Sequence, residues 1–285
     1  MNVYAVLAFQ IFLASLTHII AKSVVRDVDP LALTCMRGLI SAVGFFGILL
    51  LRRTKISLKS ILTPSILIVG FLATFNQFIY LYGMKYTTAA NGALLYATSP
   101  ILVLILSRFL LKEKITAMKL LGIVLAFIGV VLVIFERGID TSSEFLLGNI
   151  MVFIAVLTWS LYTIYGRPLV LQHGALPATA LANFAGLVLL LPFGAYSSCT
   201  YPIDNLTMND WYGIIYLGVG TSVVGYLLWY YALRRIEASR LAVFANGQPI
   251  VTALLSIVFL QATITMQFII GGSITLCGVI LTQKK

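Results

Sequence analysis

The chain has 285 residues, 60% of them hydrophobic and only 10% charged, with a mean hydropathy of +1.03. Soluble domains carry roughly 25% charged residues, so this composition excludes an ordinary water-soluble globule and points to one integral membrane domain. The net charge of +10 does not mark a nucleic-acid partner, because the Lys and Arg residues fall in short loops between apolar stretches and form no basic, aromatic-interleaved face.

Apolar runs long enough to cross a hydrocarbon core, roughly 20 residues each, recur from end to end. They predict ten spans, near 3–21, 31–51, 61–83, 89–107, 117–135, 147–166, 177–196, 210–232, 240–260 and 265–282. The expected fold is therefore an all-α integral membrane protein of ten transmembrane helices. The first run follows Met1-Asn-Val-Tyr with no basic region before it and ends at Lys22 without a small-residue cleavage signal, so it is expected to be a retained helix. The last two spans are divided only by Gln261-Ala-Thr-Ile-Thr, a poor turn signal, since Leu241 to Gln283 contains no charge. Cys35 and Cys277 fall inside spans and Cys199 in a loop, without metal-ligand spacing, so no metal, cofactor or disulfide is expected.

With the N-terminus inside, the inner loops hold Arg52, Arg53, Lys55, Lys59, Arg108, Lys112, Lys114, Lys119, Arg167, Arg234, Arg235, Arg240, Lys284 and Lys285. The outer side holds Lys22, Arg26, Lys85 and Arg137, and Arg37 lies within the second span. That bias predicts both termini in the cytoplasm and a multi-pass protein of the cell inner membrane.

Sliding the chain over itself by 149 residues places Tyr82 on Tyr231, Lys85 on Arg234, Pro100 on Pro249, Gly122 on Gly271 and Gly129 on Gly278. Ser15 to Lys22 overlays Ser160 to Arg167 at a slightly shorter offset. Two halves follow, 1–140 and 141–285, each of five helices. Five is odd, so the second half enters the membrane upside down. Inverted repeats of this kind are the architecture of alternating access around a midplane site.

The sequence resembles the EamA family of the drug/metabolite transporter superfamily over nearly its whole length. The matching features are Lys22, Pro30, Arg37, Pro100, Lys112-Glu113 and Gly122/Gly129 in the first half, then Trp159, Glu237-Ala-Ser-Arg240, Asn246, Pro249 and Gly271/Gly278 in the second. One departure is Ala262, where the family pattern often repeats the glutamate seen at Glu113. The resemblance implies a ten-helix, exporter-like protein of amino acids or related small metabolites.

Pro100 and Pro249 fall at equivalent mid-helix positions and are expected to act as paired kinks or hinges around a cavity. Beside them, Tyr96 and Ser99 in the fourth span and Asn246 and Gln248 in the ninth either line a pathway or join helices by hydrogen bonds. Asn76 and Tyr80, four apart, share a face of the third span, and their repeat partners are Gly225 and Trp229. Trp159 and Tyr162 add an aromatic face. Together these suit a mostly apolar small-molecule pocket with a few polar contacts, or equally a packed aromatic core. Arg37 either meets a carboxylate or phosphate on a substrate or, the preferred reading, snorkels outward to Asp27 or Asp29. His18 either titrates in a coupling role or is a hydrogen-bonded packing residue.

Every Asp and Glu falls in a loop or at a span end, so a proton relay through a buried carboxylate is not expected. No Walker motif is present. The expected partners are a small-molecule substrate and membrane lipids, in a monomer or homodimer, and not an enzyme. The rival classes are a lipid-carrier flippase and a membrane-embedded lipid enzyme; the enzyme would need clustered Asp, Glu, His or Cys. Gly122 with Gly129, and Gly271 with Gly278, mark helix faces built for close packing within the chain or across a dimer.

Overall fold

The computed structural model describes residues 2–54, 56, 61–136, 145–201, 204, 206–260 and 266–283, and these are helical with short connections. In chain order the elements are α1 (Val3–Asp27), α2 (Pro30–Leu51), α3 (Pro64–Tyr86), α4 (Ala89–Tyr96), α5 (Ser99–Leu110), α6 (Ala117–Glu136) and α7 (Leu146–His173). They continue with α8 (Ala175–Thr200), α9 (Met208–Ile215), a π-helical segment (Tyr216–Gly225), α10 (Tyr226–Leu233), α11 (Ala238–Ala242), a 3-10 turn (Val243–Asn246), α12 (Gly247–Leu260) and α13 (Met266–Gln283).

Local chemistry sets many of the ends. Asn2 Oδ1 caps α1 at Tyr4 N, and Asp29 Oδ1 caps α2 at Leu31 N and Ala32 N, ahead of a proline in the first turn where no N–H is needed. Thr207 and Asp210 form a reciprocal capping box at α9. Gly174, at φ 86°, makes the sharp turn from α7 to α8 that a side chain would strain.

The ten predicted spans correspond to α1, α2, α3, α4 with α5, α6, α7, α8, α9 with α10, α11 with α12, and α13. Several boundaries change. α1 runs on to Asp27, so Lys22 is helical, and α7 continues through Pro168 to His173. Cys199 lies in the last turn of α8 and not in a loop. Pro100 and Pro249 are not mid-helix kinks: each sits in the first turn after a break, one at Ala97–Thr98 and one at the 3-10 turn, where its missing N–H leaves no helical bond unmade. The division at 261–265 and Ala262 lie outside the described residues.

Among the described residues, six helices are long and apolar enough to cross a membrane, and three more are shorter apolar helices. The outside of the bundle is apolar too: Val43 is 73% exposed and Phe193 69%. Side chains of this kind on an outer face require an apolar surround.

The closest packing joins α6 to α13. A Cβ on Gly122 would lie 2.7 Å from Gly278 O, and one on Gly129 would lie 2.5 Å from Gly271 O, so the helices run antiparallel with backbones in contact. Thr275 Oγ1 sits between them, donating to Gly271 O at 2.9 Å and reaching Ala126 O at 3.5 Å. Both glycine pairs expected from the sequence are thus occupied within the chain, not on its surface. α3 meets α8 in the same way at Gly70 and Gly186.

Replacing Gly129 with Leu drives a side chain into the α13 backbone and is expected to destabilise the protein by roughly 1–3 kcal/mol. Gly272→Ala, where a Cβ meets nothing within 4 Å, is expected to be neutral. The check is the temperature at which half of each purified variant remains monodisperse.

Candidate functional site

One cavity of about 80 Å³ lies inside the bundle, with walls from α1, α2, α3, α4, α7, the π segment, α10 and α12, and the break at Ala97–Thr98 and the 3-10 turn come within two residues of its lining at Tyr96 and Gln248. Its organising hydrogen bonds start from two side chains. His18 of α1 joins three helices: Nε2 donates to Gln248 Oε1 at 2.9 Å, which leaves Nδ1 to accept from the Tyr80 hydroxyl at 2.7 Å. Asn76 of α3 uses its amide N–H groups on Tyr96 Oη at 3.1 Å and on Ala155 O at 2.6 Å, tying α3 to α4 and α7. The rings of His18, Tyr80 and Tyr96 meet edge to face at 5.5–5.7 Å, a favoured aromatic geometry.

On the facing wall, the π segment turns its polar groups inward. Ser222 Oγ donates to Leu217 O, five residues back, at 3.0 Å, and accepts from Arg37 Nε at 3.1 Å and Nη2 at 2.9 Å. Thr221 Oγ1 pairs with Thr17 Oγ1 at 2.8 Å. π segments recur at functional sites because the extra residue per turn changes which side chains and carbonyls face inward.

A sequence model of the EamA-like transporter family matches residues 2–135 and again 146–283. The chain belongs to the EamA-like transporter family. It is 32% identical to the "uncharacterized transporter YyaM" of Bacillus subtilis (strain 168) over 98% of this chain and 93% of that protein. An "uncharacterized transporter" of Archaeoglobus fulgidus is 28% identical over the full length of both chains. A solved crystal structure 19% identical in sequence superposes with a TM-score of 0.78 over 99% of this chain and 95% of that one, a likeness of fold. Family membership and the apolar helices together make this a multi-pass membrane protein.

In this EamA-like chain the cavity gathers His18, Arg37, Asn76, Tyr80, Tyr96, Trp159 and Gln248 from the expected site residues. It leaves out four. Tyr162 stacks on Tyr230 at 4.9 Å, and Trp229 Nε1 donates to Thr163 Oγ1 at 3.1 Å, both within the core. Ser99 Oγ and both polar atoms of Asn246 are buried at the helix breaks without a hydrogen bond to a described residue. Arg37 does not snorkel to Asp27 or Asp29: it is 2% exposed, points into the cavity, and Asp29 is occupied as the α2 cap. Gln10, Thr17, Gln77, Thr221 and Tyr226 also line the cavity and were not singled out in the sequence. The signal was there: Gln10, Thr17 and His18 recur at i, i+7 and i+8 on one face of α1, and Gln77 sits beside Asn76. A separate groove between α2, α3 and α8, lined by Phe71, Phe75, Phe78 and Phe193, is almost wholly apolar and faces outward, as a lipid-facing surface does.

The helix ends are tied together differently at the two ends of the bundle. At one end, Lys22 Nζ donates to Met84 O at 2.7 Å and Thr87 O at 2.6 Å, and Thr87 Oγ1 donates to Asn149 Oδ1 at 2.6 Å. At the other, Arg167 Nη1 donates to Ile236 O at 2.9 Å and pairs with Glu113 Oε1 at 3.1 Å. Glu113 also accepts from Ala238 N at 2.8 Å, Ser239 N at 3.2 Å and Ser239 Oγ at 2.5 Å, so it caps α11 from a different part of the chain. Beside it Glu237 Oε2 lies 2.6 Å from Lys119 Nζ and 3.1 Å from Arg240 Nε. Partial burial opposes ionisation of Glu237, but Lys119 first, then Arg240 and Arg167, outweigh it and hold its pKa below the ordinary glutamate value.

Glu113→Ala strips four donors of their acceptor and is expected to lower stability by about 1–3 kcal/mol, read as earlier loss of monodispersity on heating. For Glu237 the sign follows from a lowered folded-state pKa: its stabilisation is present above the ordinary value of 4.5 and is lost as pH falls through the lower folded value. With its side chain 40% exposed, the contribution is on the order of 0.5 kcal/mol. Melting curves from neutral pH downward are expected to show wild type losing its margin over Glu237→Gln as the carboxylate protonates.

Proposed function

We propose that this chain carries amino acids or related small metabolites across the inner membrane by alternating access, acting as an exporter, with both termini in the cytoplasm and residues 1–140 and 141–285 forming two inverted five-helix halves. The observation that carries the reading is the reciprocity of the α6–α13 contact. Gly122 meets Gly278 while Gly129 meets Gly271; in the 149-residue register each pair is the image of the other, and Ala126 falls on its own contact, Thr275. Contacts that exchange in this way, on antiparallel helices, support a two-fold axis lying across the helices, in the plane of the membrane.

Such a pair of halves encloses a site that each half can open to its own side. The cavity is smaller than the roughly 300–1,000 Å³ of ordinary ligand pockets, so loading a substrate requires the walls to part, as an alternating-access cycle does. No carboxylate of a described residue lines it, which supports exchange or facilitated transport without a carboxylate proton relay. Among the described residues no group of three His, Cys, Asp or Glu gathers, and this favours transport over a membrane-embedded lipid enzyme.

The deciding experiment is counterflow of labelled amino acids and metabolites in liposomes containing the purified protein, with and without a proton gradient. Saturable exchange of one class is expected, unaffected by the gradient and reduced at least about tenfold by Trp159→Ala or Gln248→Ala. Movement of labelled lipid with no solute flux would replace this reading with that of a flippase.

A further inference from the structure

Arg37 brings a fixed positive charge into a cavity that has no negative one among its described lining residues. The side chain is 2% exposed. Its Nε and Nη2 both donate to Ser222 Oγ, a neutral oxygen whose own proton goes to Leu217 O, and Nη1 makes no hydrogen bond to a described residue. No ion pair of the described residues includes it. The phenols that line the cavity with it, Tyr80, Tyr96 and Tyr226, carry no charge in their ordinary state. A guanidinium taken out of water without a counter-charge is costly, and the fork it presents matches a carboxylate in two parallel hydrogen bonds.

We propose that Arg37 is the anion seat of the transport site and that the substrate is a monocarboxylate, its one carboxylate carried on an apolar or aromatic body. This rests on the transporter reading. One guanidinium balances one negative charge, which selects a carboxylate over a phosphate dianion. Trp159 and Tyr226, edge to face at 5.4 Å, offer the surface for the body. Gln10 Oε1, a buried acceptor without a partner on the cavity wall, takes a donor N–H or O–H of the same molecule. A cationic drug or an amine without an acid group would meet Arg37 as a like charge and is excluded.

The test compares acids with their own amides: 3-phenylpropanoate with 3-phenylpropanamide, N-acetylphenylalanine with N-acetylphenylalaninamide, and phenyl phosphate as the dianion. Each is added to the protein in a neutral detergent while its melting temperature is followed, and each is then offered for exchange in vesicles of phosphatidylcholine alone, which contain no anionic lipid. At least one carboxylate is expected to raise the melting temperature by about 2 °C or more at saturation, with its amide binding about tenfold more weakly. Arg37→Gln removes the acid-specific shift, and Arg37→Lys keeps part of it. Equal responses to acid and amide, a response to phenyl phosphate alone, no response to any probe, or an undiminished shift in Arg37→Gln would overturn the proposal. Should Arg37→Gln fail to fold, the acid and amide comparison on the wild type decides. Discrimination in binding with no exchange in vesicles would leave the anion seat standing and remove the transporter; exchange of amides alone would do the reverse.

Discussion

Hydrocarbon supplies no hydrogen bonds, so a chain inside it must satisfy each polar group from its own atoms or from a cavity it encloses. That constraint explains where this bundle abandons the α-helix. The break at Ala97–Thr98, the π segment Tyr216–Gly225 and the 3-10 turn Val243–Asn246 all fall against the same central cavity, beside Tyr96, Thr221 and Gln248 respectively. At each, a hydroxyl takes up a backbone carbonyl: Thr98 Oγ1 on Leu95 O at 2.6 Å, Ser222 Oγ on Leu217 O at 3.0 Å, and Ser15 Oγ on Gln248 O at 3.1 Å. Irregular backbone and polar lining are one feature, and both sit away from the apolar exterior.

The spans were readable because their signal is coarse. Twenty apolar residues in a row need no tertiary information to be recognised, and all ten stretches carry helix where they are described, interrupted only by short breaks such as Ala97–Thr98. The breaks were not readable. Pro100 and Pro249 marked the right places, but hydropathy cannot distinguish a proline that bends a helix from one that starts the next; only the backbone around Thr98 and Ala245 shows the latter. The π segment gave no sign beyond its glycines, because one extra residue in a turn changes neither composition nor mean hydropathy.

For the site, side-chain spacing worked where the polar residues lay on one face of a long helix, as with Asn76 and Tyr80. It failed where the position depended on a partner far away in sequence. Ser222 is an unremarked serine until the π segment turns it toward Arg37, 185 residues distant. Arg37 was drawn outward because snorkelling is the common fate of a membrane arginine near a helix end, and the competing fact, that Asp29 already caps α2, is a matter of geometry. Aromatic residues were the least informative: Trp159 faces the cavity and Tyr162, one turn on, stacks in the core.

The ends of the bundle apply one device twice. Lys22 lies late in α1 and Arg167 late in α7, and each donates to a carbonyl just beyond the end of another helix, Thr87 after α3 and Ile236 after α10, which stand 149 residues apart. A cation there meets unsatisfied carbonyls and the negative end of the helix dipole, so the contact is favourable whatever the rest of the structure does. What differs is the company. Arg167 also pairs with Glu113, which in turn holds α11, whereas the neighbours at the Lys22 end, Thr87, Asn91 and Asn149, are neutral. In the alternating-access cycle proposed above, one end would open as the other closes, so the energies of these two sets of contacts would enter the equilibrium with opposite signs. Contacts built alike would then hold the two states near balance, and the carboxylates added at one end would tilt that balance from outside the cavity, away from Arg37.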